Sequence, residues 1–197
     1  MDLLLSTLAD SDQGAIRRLF CFLTPKEPVM TMDVSDVTVR ATTEEDWEIL
    51  KTVRLAALQD SPAAFGLSHA AAAAYSEQQW RERASHETQP AFLLAIHQQQ
   101  AVGLIGDAVS PAHEYHLLAM WVHPKSRGKG IGGRLVDAIK IRALERGYRR
   151  VVLSVSPNNT PATALYSRRG FVFLPEWEDL ASHPGVKVQK MEWLAVD

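Results

Sequence analysis

The sequence predicts a mixed α/β fold in which a β-sheet is flanked by helices. Short runs rich in β-formers, such as Phe92–His97 and Val151–Val155, alternate with stretches of helical periodicity such as Trp47–Ala57. Hydrophobic residues make up 46% of the 197 residues and charged residues 22%, which is typical of a globular protein with a real core. No apolar run approaches the ~20 residues that cross a bilayer, so no membrane association is expected.

The amino-terminal 36 residues differ in character from the rest. Their helical stripe is weak and is interrupted by Gly14. We expect residues 1–36 to be an extension that is disordered or not native, and residues 37–197 to form one domain. Met30 and Met32 directly precede the first convincing strand, which raises the hypothesis that translation naturally starts there.

Cysteine and histidine usage points to a reducing compartment and to no metal. The single cysteine, Cys21, excludes an internal disulfide framework and a cysteine-rich zinc site. The histidines at 97, 113, 123 and 183 are isolated and lack metal-ligand spacing. The short apolar patch at the start has no positively charged segment before it, so it is not read as a signal peptide. The cytoplasm is the expected location.

Local signals divide the chain into seven strands and four helices. Glu44, Glu45 and Asp46 mark the first turn of the first helix, and Ser76 is a plausible cap for the second. The predicted helices end at Asp60, Arg83, Arg146 and Arg169. The predicted strands are Val37–Arg40, Phe92–His97, Ala101–Val109, Glu114–Val122, Val151–Val155, Phe171–Phe173 and Val186–Trp193. The nearly all-apolar run at 151–155 predicts a strand covered on both faces, at the centre of the sheet.

Positive charge is concentrated in one segment. Residues 125–150 contain nine Lys or Arg and two acidic residues, a local balance of +7, while the whole chain carries −2. This asymmetry favours one localised anionic ligand over nucleic-acid binding by the whole surface. For the basic residues after Lys129, an equally good interpretation is the solvated face of a helix.

The basic segment opens with a glycine-rich turn, Arg127-Gly128-Lys129-Gly130-Ile131-Gly132. Its glycines allow close approach of a ligand, and unpaired N–H groups at a helix start lie just behind, which suits a pyrophosphate. A dinucleotide fingerprint would need an acidic residue about 20 positions further on, and residues 148–157 contain none. A P-loop is excluded because no Gly-Lys-Ser/Thr follows.

Two motifs carry a resemblance to a known family. The turn, preceded by Met120-Trp121-Val122-His123-Pro124, resembles motif A of the GCN5-related N-acetyltransferase (GNAT) superfamily. The pattern Asn159-x-x-Ala162-x-x-Leu165-Tyr166-x-x-x-Gly170-Phe171 is similar to the family's downstream signature. The resemblance covers roughly residues 37–194. It implies a twisted, mainly antiparallel central sheet of about six to seven strands, flanked by about four helices.

The resemblance implies a site for acetyl-CoA. In such folds the strands at 114–122 and 151–155 splay apart near a bulge, and the pantetheine arm lies between them like an added strand. The N–H groups of the glycine-rich turn would hold the pyrophosphate, with charge added by Arg127 and Lys129. The cofactor-binding residues carried over are Met120, Trp121, Val122, Arg127, Gly128, Lys129, Gly130, Ile131, Gly132 and Asn159.

The resemblance also implies catalytic roles. Tyr166 matches the family's tyrosine that donates a proton to the departing thiolate; its alternative is a half-buried tyrosine that packs a helix on the sheet. Many relatives place a glutamate base where this chain has His116. A neutral imidazole is a competent base, and Glu114, two residues earlier, could orient it or act as the base itself. The alternative is two polar side chains on a solvated strand end. Phe65 and Tyr75 are candidates for the wall of the acceptor pocket.

We therefore expect an N-acetyltransferase that moves the acetyl group of acetyl-CoA to a primary amine by direct attack in a ternary complex. The acceptor is a small-molecule or peptide amine, with no nucleic acid or membrane partner and no metal. The sequence is compatible with a homodimer and does not fix the oligomeric state. The alternatives are a non-catalytic module that binds acetyl-CoA and a dinucleotide-binding protein.

Overall fold

A computed structural model of the chain describes residues 33–85 and 87–196. The expectation of an extension at residues 1–36 falls almost entirely outside the described residues, and the domain boundary at residue 37 stays a prediction. Within the described ranges, no helix is both long and apolar enough to span a membrane.

The described residues form one seven-stranded sheet, with the strand order β1-β2-β3-β4-β5-β7-β6. All neighbouring strands are antiparallel except β4 and β5, which are parallel. The prediction of a mixed α/β fold with a mainly antiparallel sheet is confirmed. The strands are β1 (Thr38–Ala41), β2 (Ala91–His97), β3 (Gln100–Val109), β4 (Tyr115–Val122), β5 (Arg150–Val155), β6 (Val172–Asp179) and β7 (Lys187–Leu194).

Five helices accompany the sheet in the described residues: α1 (Trp47–Asp60), α2 (His69–Ala73), α3 (Glu77–Ala84), α4 (Ile131–Glu145) and α5 (Thr160–Arg168). Ser76 caps α3 as predicted, since its Oγ accepts a 3.2 Å hydrogen bond from the N–H of Gln79. Asn159 caps α5, with Oδ1 accepting from the N–H of Ala162 at 3.4 Å. The single-turn helix α2 was not predicted, because its alanine run has helix propensity but no apolar periodicity.

Two features of the sheet differ from the sequence-based expectation. The central strand is β4, and the apolar strand β5 lies beside it. A strand is near-continuously apolar when both its faces are covered, and β3 is also buried from Val102 to Asp107, so this pattern does not identify the middle strand. β6 is longer than predicted. Its polar second half, Glu176–Asp179, is held by pairing with β7 rather than by its own propensity.

Helices cover both faces of the sheet, so the domain has two cores. On one face Leu135 and Ile139 of α4 pack with residues such as Val151. On the other face Leu50 of α1 and Trp80 of α3 pack with residues such as Leu104. Successive strand residues point to opposite faces, which is how one sheet supplies both cores.

A buried carboxylate fastens α4 to the sheet. Asp107 of β3 is fully buried. Its Oδ2 lies 2.8 Å from Nε of Arg142, and its Oδ1 accepts a 3.1 Å hydrogen bond from Nη1 of Arg146. Burial raises the pKa of Asp107 above its ordinary value, and the two arginines oppose that rise. The ion pairs therefore hold the last turns of α4 against β3.

We expect Asp107→Ala to lower the free energy of unfolding by about 3 kcal/mol, because removing one partner leaves arginine charge poorly compensated near the core. Asp107→Asn should cost less, since the amide oxygen still accepts hydrogen bonds. Denaturant unfolding measures both. The control is Glu77→Ala, which removes an exposed pair with Arg81 on α3 and should cost under about 1 kcal/mol. Equal losses for Asp107→Ala and the control would contradict this assignment.

Candidate active site

The two parallel strands at the centre of the sheet separate after a very short contact. β4 and β5 pair only at Tyr115 with Val151 and at His116 with Val152. On its other side β4 carries a bulge, because Ala119 and Met120 together face a single residue of β3. Ala119 adopts the left-handed conformation with φ +57°, which is unfavourable for a residue other than glycine. The strands therefore diverge at a strained bulge, as the sequence resemblance implied.

A cavity of about 410 Å³ fills the gap between the separated strands. One wall is Leu117–Met120 of β4 and another is Leu153–Val155 of β5, followed by Asn159 and Tyr166 of α5 and its cap. The segment Ser61–Phe65 after α1 forms a further side. We call this the central cavity. It brings together Met120, Asn159 and Tyr166 of the predicted site.

Tyr166 contributes to the wall of the central cavity while most of its ring is buried. The ring packs at 5.8 Å between centroids against Phe171. Burial raises the pKa of Tyr166 above its ordinary value, so the phenol is protonated at neutral pH. The side chain thus lines the cavity with a protonated phenol, and it also packs against Phe171.

A second cavity of about 620 Å³, the outer cavity, adjoins the central one and shares with it Phe65, Leu118 and Ala119. His116 also lines it. Phe65, which the sequence suggested for an acceptor-pocket wall, lines both cavities. Tyr75 is not among the residues lining either cavity: its ring packs edge-on against Trp80 at 5.5 Å.

His116 and Glu114 occupy different environments. Nε2 of His116 is buried without a hydrogen-bond partner among the described residues and lies 3.7 Å from Oε2 of Glu114. Burial lowers the pKa of His116, so the imidazole is neutral at pH 7. Glu114 instead lines a separate surface pocket. A hydrogen bond from Arg150 lowers the pKa of Glu114, and Lys190 lies 3.6 Å away.

The basic turn borders a third cavity of about 850 Å³, the turn cavity. Gly128 and Gly130 have φ values of +76° and +82°, which explains the need for glycine at both positions. The first N–H groups of α4 have no partner within the helix, and they lie at this cavity. The predicted cofactor residues along it are Val122, Arg127, Gly128, Gly130, Ile131 and Gly132. Lys129 is exposed and is not one of the lining residues.

Gly132 lets α4 approach both neighbouring elements. A Cβ atom at this position would lie 2.7 Å from Cε of Met120 and 3.1 Å from Cδ2 of Leu165. Met120 lines the central cavity, and Gly132 and Leu165 line the turn cavity. The absence of a side chain therefore keeps the two cavities close together.

An aspartate that the sequence reasoning missed organises the basic turn. Asp60, the last residue of α1, accepts a 2.9 Å hydrogen bond from Nε1 of Trp121 and pairs with the guanidinium of Arg127. Hydrogen bonds, first of all from Trp121, lower the pKa of Asp60. Nε of Arg127 also donates to the carbonyl of Val122 at 2.9 Å. The side chains of Trp121 and Arg127 thus hold the turn in place.

Part of the concentrated positive charge is used inside the protein. Arg142 and Arg146 pair with Asp107, and Arg150 pairs with Glu114 and Glu192. These side chains are neither a purely solvated helix face nor residues of the turn cavity. Arg142, Arg146 and Arg150 are therefore engaged by carboxylates of the protein, and an anionic ligand would meet the positive charge near the turn.

Comparison with known proteins gives a consistent result. Residues 54–171 match the model of the acetyltransferase (GNAT) family. A mycothiol acetyltransferase from Pseudarthrobacter chlorophenolicus is 30% identical over 133 residues, which are 64% of this chain. The match spans only 39% of that relative's length.

Solved structures share the fold. A GNAT-family acetyltransferase from Streptococcus pneumoniae superposes with a TM-score of 0.66 at 19% identity, covering 81% of this chain and 99% of that one. A putative streptothricin acetyltransferase from Bacillus anthracis, solved in complex with acetyl coenzyme A, has a TM-score of 0.51 at 20% identity and covers 57% of this chain and 66% of that one. These structures share the fold of the chain, and the family match over residues 54–171 shows that the chain belongs to the GNAT family of acetyltransferases.

Proposed function

We propose that this protein transfers the acetyl group of acetyl-CoA to a primary amine within a ternary complex. The observation that carries the proposal is the separation of β4 from β5 after two residue pairs, which opens a cavity between the strands. The turn cavity lies close to it, and the outer cavity adjoins it on the side of His116. The complex of the Bacillus anthracis protein with acetyl coenzyme A supports this donor.

The cofactor would follow the line from the central cavity to the turn cavity. Strands that no longer pair leave backbone N–H and C=O groups in need of partners, and the amide groups of a pantetheine arm would supply them along Met120 and Val122. The pyrophosphate would bind the N–H groups from Gly128 to Gly132 at the start of α4. The carbonyl of Val122 already accepts from Arg127, but its second lone pair is available. The amide nitrogen of Asn159 would face the arm.

The reaction requires three catalytic functions from the protein. The amine nitrogen attacks the thioester carbon and loses a proton to a base, the oxyanion of the tetrahedral intermediate is stabilised, and the carbon–sulfur bond breaks as the thiolate takes a proton. Tyr166 is protonated at neutral pH and lines the central cavity, which suits it to protonate sulfur. The adjoining cavities let both substrates be present together, so attack can be direct.

His116 is the better candidate for the base. Its imidazole is neutral near pH 7 because burial lowers its pKa, and it lines the outer cavity from which an amine would approach. Glu114 is ion-paired with Arg150 and has a lowered pKa, which makes it a weak proton acceptor. The charge of Glu114 raises the pKa of His116, so Glu114 would tune the base electrostatically.

Ligand-induced stabilisation combined with a thiol-release assay tests the function. Acetyl-CoA and CoA should raise the melting temperature by mass action, and NAD at the same concentration should not. Thiol release should then require both acetyl-CoA and an amine from a broad panel. Stabilisation by acetyl-CoA without turnover of any amine would favour a non-catalytic binding module. Stabilisation by NAD alone would end the acetyltransferase proposal.

Tyr166→Phe should lower kcat by about 10²-fold, because general acid catalysis typically contributes that much or more. The affinity for acetyl-CoA and the melting temperature should change little, since phenylalanine keeps the packing against Phe171. Steady-state kinetics and calorimetric titration measure the two quantities separately. A variant with the wild-type rate would remove Tyr166 from the mechanism and leave it a packing role.

The pH dependence of kcat/KM should distinguish His116 from Glu114. The rate should fall at acid pH as the imidazole protonates, with an inflection below ~6.5 because burial lowers its pKa. His116→Ala should lose about 10²-fold near pH 7.5. Glu114→Gln should keep that rate and move the acid limb to lower pH, because it removes a charge that raises the pKa of His116. The opposite pattern would make Glu114 the base.

A further inference from the structure

We infer that the acceptor amine carries a carboxylate group, and that the guanidinium of Arg54 binds this carboxylate in the outer cavity. The inference rests on the proposed function, since it specifies the substrate of that same site. It identifies a specificity-determining residue that neither sequence motif includes.

Arg54 is a buried cation of α1 at the wall of the outer cavity. Only 8% of the residue is exposed, and Nη1 is enclosed without a hydrogen-bond partner among residues 33–85 and 87–196. Its guanidinium carbon lies 4.7 Å from the centroid of the Phe65 ring. This aromatic contact offsets part of the cost of burial but satisfies none of the five N–H donors.

The charge of Arg54 has no ionic partner in the described part of the chain. By contrast, Arg142 lies 2.8 Å from Asp107, and Arg150 contacts Glu114 and Glu192. Burial lowers the pKa of Arg54 to about 10, which still leaves the guanidinium charged at neutral pH.

An unpaired buried charge is costly unless a ligand completes its environment. Arginine presents N–H groups in a planar fork that matches a carboxylate with two parallel hydrogen bonds. Because Arg54 lines a cavity of about 620 Å³, a small molecule has room to bring such a group to it. The cost of this unpaired buried charge is therefore offset when the acceptor brings an anionic group to Arg54 from the cavity.

Acidic residues of β6 also line the outer cavity. Glu178 and Asp179 of β6 line it together with His116. Asp179 pairs with Lys187, and the charge of Glu178 raises the pKa of His116. A cation on the α1 side and carboxylates on the β6 side complement a zwitterion, with its carboxylate at Arg54 and its ammonium toward Glu178 and His116. After the ammonium loses its proton, the amine can attack the thioester.

The arrangement also connects to the reaction centre. Phe65, whose ring stacks against the guanidinium of Arg54, lines both the outer and the central cavity. Ala119 at the bulge of β4 also lines both. A carboxylate bound to Arg54 therefore anchors the acceptor near Phe65, where the outer cavity meets the central cavity. An amine bound this way is oriented as well as retained, which lowers the entropic part of the barrier.

The test compares matched amines on the full chain with saturating acetyl-CoA. Each amino acid of a panel is assayed beside its carboxamide and its decarboxylated amine, for example alanine, alaninamide and ethylamine. At least one carboxylate form should exceed its two analogues in kcat/KM by about 10²-fold, the value of a charge-assisted hydrogen-bond pair. Arg54→Met should remove that advantage, so that the carboxylate form and its two analogues differ little in kcat/KM. Arg54→Lys should restore part of it.

A second arginine provides the control. Arg81 of α3 stacks on Trp47 at 5.2 Å but does not line the cavity, so Arg81→Met should leave the carboxylate preference intact. The melting temperature of Arg54→Met with and without acetyl-CoA reports folding and cofactor binding. Replacement of an unpaired buried charge by an apolar side chain should not lower it.

The outcomes separate the two proposals. Failure of acetyl-CoA to stabilise the wild-type protein would overturn the proposed function itself. Stabilisation by acetyl-CoA together with equal turnover of all three amine forms would overturn only the role of Arg54. An equal loss for all amines in Arg54→Met would do the same. If no amine is acetylated, thermal shifts by the panel in the presence of CoA decide: no shift by any carboxylate form overturns the inference.

Discussion

The separation of β4 from β5 is the constraint on which the rest of this domain depends. Two parallel strands in the middle of a sheet would normally continue to pair, yet these do so only at Tyr115 and His116 of β4. The left-handed conformation of Ala119 redirects β4, and the surrounding strand pairs hold this strained residue in place. The sheet gives up backbone hydrogen bonds there and gains a slot between the two strands. The outer cavity adjoins this slot and shares Phe65 and Ala119 with it.

Much of the fold could be predicted because local signals agreed with tertiary packing. Ser76 and Asn159 both act as helix caps, and the strand pattern from residue 91 to residue 122 leads to adjacent strands in the sheet. The place of β5 beside the centre could not be predicted, since burial on both faces is shared by several strands. The length of β6 depends on pairing with β7, and such non-local pairing leaves no signal in the composition of the strand.

The candidate site was predictable where a motif describes backbone conformation. Gly128 and Gly130 are required by their positive φ values, and that requirement is visible in sequence. Side-chain partners were not predictable in this way. Arg54 fits the helical spacing of α1 as well as an apolar residue would, and only its burial beside Phe65 reveals an unmet charge. His116 and Glu114 are two residues apart, but packing gives one a cavity and the other an ionic network.

Asp60 shows how one carboxylate can constrain two regions at once. It ends α1, directly before the segment 61–65 that borders the central cavity, and it also holds Trp121 and Arg127 at the start of the basic turn. A substitution at this position would alter the segment and the turn together. Substitutions in the cavity walls can therefore act on one region at a time, whereas Asp60 couples the two regions through a single side chain.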